Sequence, residues 1–581
     1  MLVNMRIMNK NIAKINKLIS DKKYSRALSL LKKTNVEATA DVFEFKRLEL
    51  VCLVKLSQHK LAIIKAKEVL ANVACKRDEV NVLMVLSQEL AKVNRISESI
   101  ACLAQIITID DSLNTLNARV KLCNLAKTIS DFKTIELYAP KLVSTQAYFI
   151  FAQMLLCESA VYHGNKELLI KRLRVLANHY GVLAPLNLAY ICHSYCKYNE
   201  YALAQSFLAK LENVYKNEAW FVVFLAMTEL GLNNNNVAIK LLESISIDML
   251  PPWFEPKELF YKLLGDAYEK VKRYDDAFLN FTCMAKMTKQ KNARFRKIDV
   301  VAEYNKIELD TIGVQIKNYS DCNNEQNLVF MLGFPRSGTT LLDVNLEQHP
   351  DIVTLSETDT ILSVIEKLNK LYPKLKYPES LNVVTKTDIS TLRDVYFSRL
   401  ATLVGENVTG KTIVDKMPIN TVHLPLIKLL FPTAKFIVNL RHPLDVILSC
   451  FQQNFLINNE MAFLITLDDC AKRHQQVFTF LDTVERHFSI DSIVIRYEDL
   501  VTDPAGILMN VYKYLGLKSI EYKSHHKFIK EKVIKTPSSN QVAQALYTSS
   551  QYKWKNYRGQ IASIVPYVTD TMQKYGYTLD D

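Results

Sequence analysis

The chain has 581 residues, 49% apolar and 23% charged, with 13 Gly and 16 Pro. That apolar share excludes wholesale disorder, and the length gives two to four folding units at about 100–200 residues each. The net charge of +13 would by itself point to an anionic partner. However, residues 301–581 hold 30 Lys+Arg against 31 Asp+Glu, so the basic excess lies wholly in residues 1–300, at +14.

No nucleic-acid partner is therefore expected, and any anion site in the second half must be built by placing charges locally. The opening stretch MLVNMRIMNKNIAKINK has no uninterrupted apolar core, so no secretory signal is expected. The most apolar stretch, Trp220 to Met227, is too short to cross a bilayer. Eleven cysteines are scattered without a CxxC, and Cys192 and Cys196 have no second ligand pair. The expectation is a reducing, cytoplasmic setting, with neither a disulfide framework nor a metal site.

Residues 10–290 read as long helical stretches with a recurring phrase: Tyr24-x-x-Ala27, His59-x-x-Ala62, Tyr201-x-x-Ala204, Asn235-x-x-Ala238 and Tyr274-x-x-Ala277. Neighbouring copies are spaced by 35, 34 and 39 residues, and the stretch 110–180 carries no clear copy. Small residues let two helices approach, while Tyr261, Tyr268, Tyr274 and Phe281 fill the gap beside Gly265, Ala277 and Ala285. The phrase resembles the tetratricopeptide repeat. It implies an α-solenoid over 1–290, whose role is to bind a protein partner or the acceptor, or to serve as a packing or homodimer scaffold. A helical connector is expected over 291–320, and an α/β domain with a central parallel sheet over 321–581.

Leu328–Leu332 is a continuous apolar run, as in a buried parallel strand, and leads into Gly333-Phe-Pro335-Arg336-Ser337-Gly338-Thr339-Thr340 and a helical stretch 341–348. Glycines, successive N–H groups at a helix start, three hydroxyls and an Arg make a phosphate nest. Thr339 stands where a nucleotide-binding P-loop has its lysine, which argues against a kinase or NTPase. Further strands are expected at 412–414, 435–440 and 492–497. The first delivers Asp415-Lys416-Met-Pro418, the second Arg441 with Ser449 eight residues later, and the third Tyr497-Glu-Asp-Leu500 with Asp503-Pro504.

GFPRSGTT, the Arg441/Ser449 spacing and the DKxP phrase together resemble the sulfotransferases that use 3′-phosphoadenosine 5′-phosphosulfate (PAPS). Ser538-Ser-Asn-Gln541-Val542 and Lys553-Trp554-Lys555-Asn-Tyr557 resemble elements of the tyrosylprotein type and of repeat-bearing bacterial members. The resemblance implies a P-loop-like α/β sulfotransferase domain with PAPS as donor and no metal. Pro335, Arg336, Ser337, Gly338, Thr339, Thr340, Arg441, Ser449, Tyr497, Lys553 and Trp554 would bind the donor, and Arg336, Lys416, Glu357 and Ser538 would act in transfer. Residues 513–558, with ten Lys+Arg against two Glu, would form a basic flap over the donor.

Sulfuryl transfer needs donors on the bridging oxygen and a base for the acceptor hydroxyl. The same resemblance implies Glu357, 21 residues beyond Arg336, as the base, with His423, seven beyond Lys416, as the alternative. Asp343 and Asp359 read as solvent-facing or supporting carboxylates. The acceptor is a hydroxyl compound: a protein tyrosine, a carbohydrate or a small molecule, with an acidic one suited to the basic repeats. The competing readings are a repeat scaffold with a degenerate transferase domain and, more remotely, a P-loop kinase.

Overall fold

The computed structural model describes residues 2–34, 42–73, 75–110, 115–295, 299–304, 307, 309–318, 327–404, 408, 410–524 and 550–581. Contacts divide the chain into two compact units, Met1–Leu183 and Ala184–Asp581. The division falls ahead of the junction expected at 290, because the later hairpins belong with the sheet.

Each unit contains antiparallel helix pairs closed by the same turn. A residue of positive φ precedes the second helix by two positions: Lys22, Ser57, Asn94, Ser130 and Gly164 in the first unit, Asn199, Asn233 and Lys272 in the second. The next N–H then bonds five residues back, as from Asp131 to Ala126 O and from Arg273 to Tyr268 O, both at 2.9 Å. This bond ties off the carbonyls left open at a helix C-terminus. Five residues after each turn comes a fully buried side chain: Ala27, Ala62, Ser99, Ile135, Leu169, Ala204, Ala238 and Ala277. Residues 115–180 are thus built like the rest, with Ile135 and Leu169 standing where other copies have Ala or Ser.

The final hairpin pairs α1 (Glu258–Lys270) with α2 (Tyr274–Lys291). A Cβ at Gly265 would lie 2.5 Å from the Phe281 ring, so only glycine permits that approach. Helices Val300–Tyr304 and Leu309–Asn318 fall within the expected connector.

The sheet has five parallel strands in the order β2-β3-β1-β4-β5. They are β1 (Asn327–Gly333), β2 (Ile352–Ser356), β3 (Thr412–Lys416), β4 (Lys435–Leu440) and β5 (Ser492–Arg496). Four stand where apolar runs placed them, and β2 is the addition. On one face Val329, Met331, Val414, Ile437 and Ile495 pack under α3 (Thr339–Leu346) and, further along the chain, α5 (Pro504–Leu515). On the other Phe330 stacks between Phe431 and Phe436. Asp503 caps α5 by accepting from the Gly506 N–H at 2.9 Å, whereas Tyr497 opens a short helix instead of ending β5. Among the described residues no helix is long and apolar enough to cross a membrane.

Candidate active site

All five strands point their C-terminal ends the same way, and in such sheets ligands bind beyond those ends, beside the central strand where the chain order switches. Here the central strand is β1, and Pro335–Thr340, Glu357, Lys416, Arg441 and Tyr497 lie at or just past strand ends on that edge. Gly333 ends β1 with φ +148°, and a Cβ on it would lie 2.6 Å from Asn439 O and 2.9 Å from Ser337 Oγ. Its N–H donates to Thr421 Oγ1 at 3.0 Å, which anchors the loop from the β3 side. Gly338, at φ +92°, starts α3, and a Cβ there would strike Tyr497 Cδ2 at 2.6 Å. Ser337, Thr339 and Thr340 are buried around this helix start.

The anion loop and the Arg441 segment interlock. Arg336, a non-glycine residue at φ +73°, donates from Nε to Ser449 Oγ at 3.1 Å, and its carbonyl accepts from Arg441 Nη1 at 3.3 Å. The Pro335 carbonyl accepts from Cys450 Sγ at 3.4 Å, so α4 (Pro443–Phe451) underlies the loop. Tyr497 lies between the two segments, against Gly338 and under the Arg441 guanidinium, 4.8 Å from its ring centroid. Arg441 also donates from Nη2 to Ser550 O at 2.6 Å, which brings the C-terminal segment to this edge.

Lys553 and Trp554 are placed one step away from the loop. Trp554 stacks on His442, with centroids 5.1 Å apart, and its backbone N–H donates to Asp445 Oδ1 at 2.8 Å. Lys553 Nζ donates to Glu269 Oε2 of α1 at 2.8 Å, beside Tyr557 OH and Gln452 Nε2 on Oε1 at 2.6 and 2.8 Å. Burial opposes ionisation of Glu269, yet Lys553, Tyr557 and Gln452 outweigh it and hold the carboxyl below its usual range. This cluster fastens the final hairpin to the end of α4, a contact with no sequence signal beyond the acidic residue itself. Ser538, with residues 525–549, lies outside the described residues.

The other half of the edge is acid–base in character. Lys416 ends β3, fully buried, with Nζ 2.9 Å from Glu357 Oε1 and 3.8 Å from Asp343 Oδ2. Glu357 follows β2 at φ +52°, its N–H bonded to Lys416 O at 2.8 Å and its side chain 35% exposed. It sits at the rim, partly open to solvent. Asp343 reaches in from α3, accepts a hydrogen bond from Ser356, and is pushed up in pKa by burial against the pull of Lys416. His423 is bonded through Nδ1 to Tyr377 OH at 2.9 Å, and burial with Arg473 nearby lowers it to about 4, so its imidazole is neutral. Asp415 points away from this group to Thr360 and Tyr396.

Among the described residues, the buried donors at the edge without a hydrogen-bond partner include Ser337 Oγ and Arg441 Nε. Orphaned polar atoms of this kind call for a ligand or water. With Arg336, Arg441 and the helix start of α3 they suit a ligand carrying several anionic groups, and among the described residues no group of acidic, His and Cys side chains is placed to hold a metal ion.

Residues 328–521 match the model of the sulfotransferase family, a span that contains the five-stranded sheet and all its edge loops up to α5. An uncharacterized protein of Aquifex aeolicus is 26% identical over 54% of this chain and 41% of its own length. The protein-tyrosine sulfotransferase of Drosophila melanogaster is 24% identical over 40% of this chain and 48% of its own. The chain thus spans less than half the length of these two relatives. Among solved structures, the sulfotransferase domain of the Synechococcus PCC 7002 olefin synthase matches with a TM-score of 0.29 and 19% identity, over 40% of this chain and 89% of that one. Residues 328–521 thus resemble a sulfotransferase-family domain, and helical hairpins precede them in the chain.

Proposed function

We propose that the protein transfers a sulfuryl group from PAPS to a hydroxyl acceptor, with Glu357 as base. The observation that carries this reading is the Lys416–Glu357 pair, 2.9 Å apart at the strand edge beside the anion loop. The loop and Arg336 would hold the 5′-phosphosulfate, Arg441 and Ser449 the 3′-phosphate, and Tyr497 would support both. Lys553 and Trp554 would act from behind, through Glu269 and His442.

In the transfer, a lone pair of the acceptor oxygen forms the new O–S bond while the bond from sulfur to the bridging oxygen breaks. That electron pair stays on the 5′-phosphate, where Lys416 and Arg336 meet the growing charge. The acceptor proton passes to Glu357, and the products are a sulfate ester and adenosine 3′,5′-bisphosphate. Exposure of Glu357 supports this role, since an acceptor can reach it while Lys416 lies sealed below. The likeness to a protein-tyrosine sulfotransferase favours a tyrosine hydroxyl as acceptor, and the charge of +14 over residues 1–300 favours an acidic one.

Labelled PAPS incubated with the protein and a cell lysate tests the reading. The wild type should label an acceptor, and Glu357→Ala should lower transfer by about 100-fold or more while keeping bisphosphate binding. Full transfer by Glu357→Ala would remove it as base.

A further inference from the structure

Lys416 has two carboxylates facing it, and they differ in kind. An ammonium as deeply buried as Lys416 needs a counter-charge at all times. Glu357 sits at the rim and bonds it directly. Asp343 is 4% exposed, out of reach of any acceptor, and stands 3.8 Å away. At that separation the attraction is electrostatic and leaves the ammonium hydrogens free to point elsewhere. Ser356 fixes the orientation: its hydroxyl donates to Asp343 Oδ2, the oxygen nearest Lys416, and Ser356 is the β-register neighbour of Lys416 across β2 and β3.

We propose that Asp343 is a positioning residue, the standing counter-charge that keeps the Lys416 ammonium at the strand edge while Glu357 takes up the acceptor proton. This rests on the sulfotransferase reading above and extends it. When Glu357 is protonated its charge is gone, and Asp343 is then the carboxylate of the protein still facing the buried cation as it turns to the leaving phosphate. With Asp343 present, Lys416 can leave Glu357 and turn to the bridging oxygen. The groups facing Asp343 are Lys416 from β3, the Ser356 and Thr354 hydroxyls from β2, and Glu347 one turn along α3. Lys416 is the cation among them.

The test uses the full chain and the release of sulfate from PAPS to water, which needs no knowledge of the acceptor. Asp343→Asn should lower kcat roughly 10- to 100-fold with KM for PAPS within about twofold, and with bisphosphate binding intact. In a Lys416→Met background the same substitution should change kcat by less than about twofold, since the role passes through Lys416. Equal losses in both backgrounds, or wild-type kcat in Asp343→Asn, would overturn the proposal. Should Asp343→Asn fold poorly, Ser356→Ala, which frees Asp343 from its hydroxyl anchor, should show the same split at about 2- to 5-fold, and an unchanged kcat there counts equally against it. Failure of the wild type to bind bisphosphate or release sulfate would sink the sulfotransferase reading itself. An active wild type with an indifferent Asp343 sinks only this inference.

Discussion

In the helical hairpins, Lys22, Ser57, Asn94, Ser130, Asn233 and Lys272 take positive φ in exposed turns. At the sheet edge Arg336 and Glu357 do the same, beside buried charges and interlocked loops. In the hairpins the strain closes a turn, and many side chains serve because nothing presses on them. At the edge it aims two particular side chains, as strained residues at functional sites commonly do. Charge follows the same division. Pairs such as Arg47–Glu44 and Arg273–Asp276 lie on exposed helix faces, where water screens them and each contributes little. Lys416 and Asp343 are sealed in, where loss of one partner leaves the other exposed to the full cost of burial.

The contrast can be broken most severely at Gly338. Gly338→Ala combines a left-handed backbone at φ +92° with a Cβ 2.6 Å from Tyr497, and should cost about 2–4 kcal/mol together with bisphosphate binding. Denaturant unfolding and nucleotide titration would read both effects, and normal behaviour in each would mean that Tyr497 yields easily.

A smaller effect is expected at Asp415, whose carboxyl is raised to about 6, chiefly by burial, with Thr360 and Tyr396 bonds opposing. Because the folded value lies above the unfolded one of about 3.9, its contribution favours folding fully below about pH 4 and is lost as pH rises through 6. Melting temperatures from pH 4 to 8 should therefore decline less steeply in Asp415→Asn than in the wild type. Parallel curves would contradict it.

The smallest effect belongs to the hairpins. Ser130→Gly should stabilise by about 0.5–1 kcal/mol or be neutral, since the turn already asks for positive φ. A clear destabilisation would show that the array turns are as tightly specified as the sheet edge.

Much of this arrangement was legible because it is local in sequence. Gly333 to Thr340 is a contiguous nest following an apolar strand, and Arg441 to Ser449 is fixed by one helix. Strand β2 escaped because Ile352–Ser356 is five residues with Thr354 and Ser356 interrupting the apolar run. The hairpins of 110–180 escaped for a different reason. The buried position tolerates Ile135 and Leu169, while the invariant feature is backbone conformation at Ser130 and Gly164, which side-chain spelling does not record. Asp343 looked like one acidic residue among many. Its meaning depends on Lys416, 73 residues along the chain, arriving from the neighbouring side of β2. The +14 of residues 1–300 is now seen spread over helix faces, many of its charges already paired within the array.

Donor binding at the sheet edge is open to the most direct measurement. Calorimetric titration of adenosine 3′,5′-bisphosphate into the full chain, without magnesium, should give saturable binding that weakens by about tenfold or more in Arg441→Ala. Absence of binding to the wild type, or equal affinity in both proteins, would contradict it.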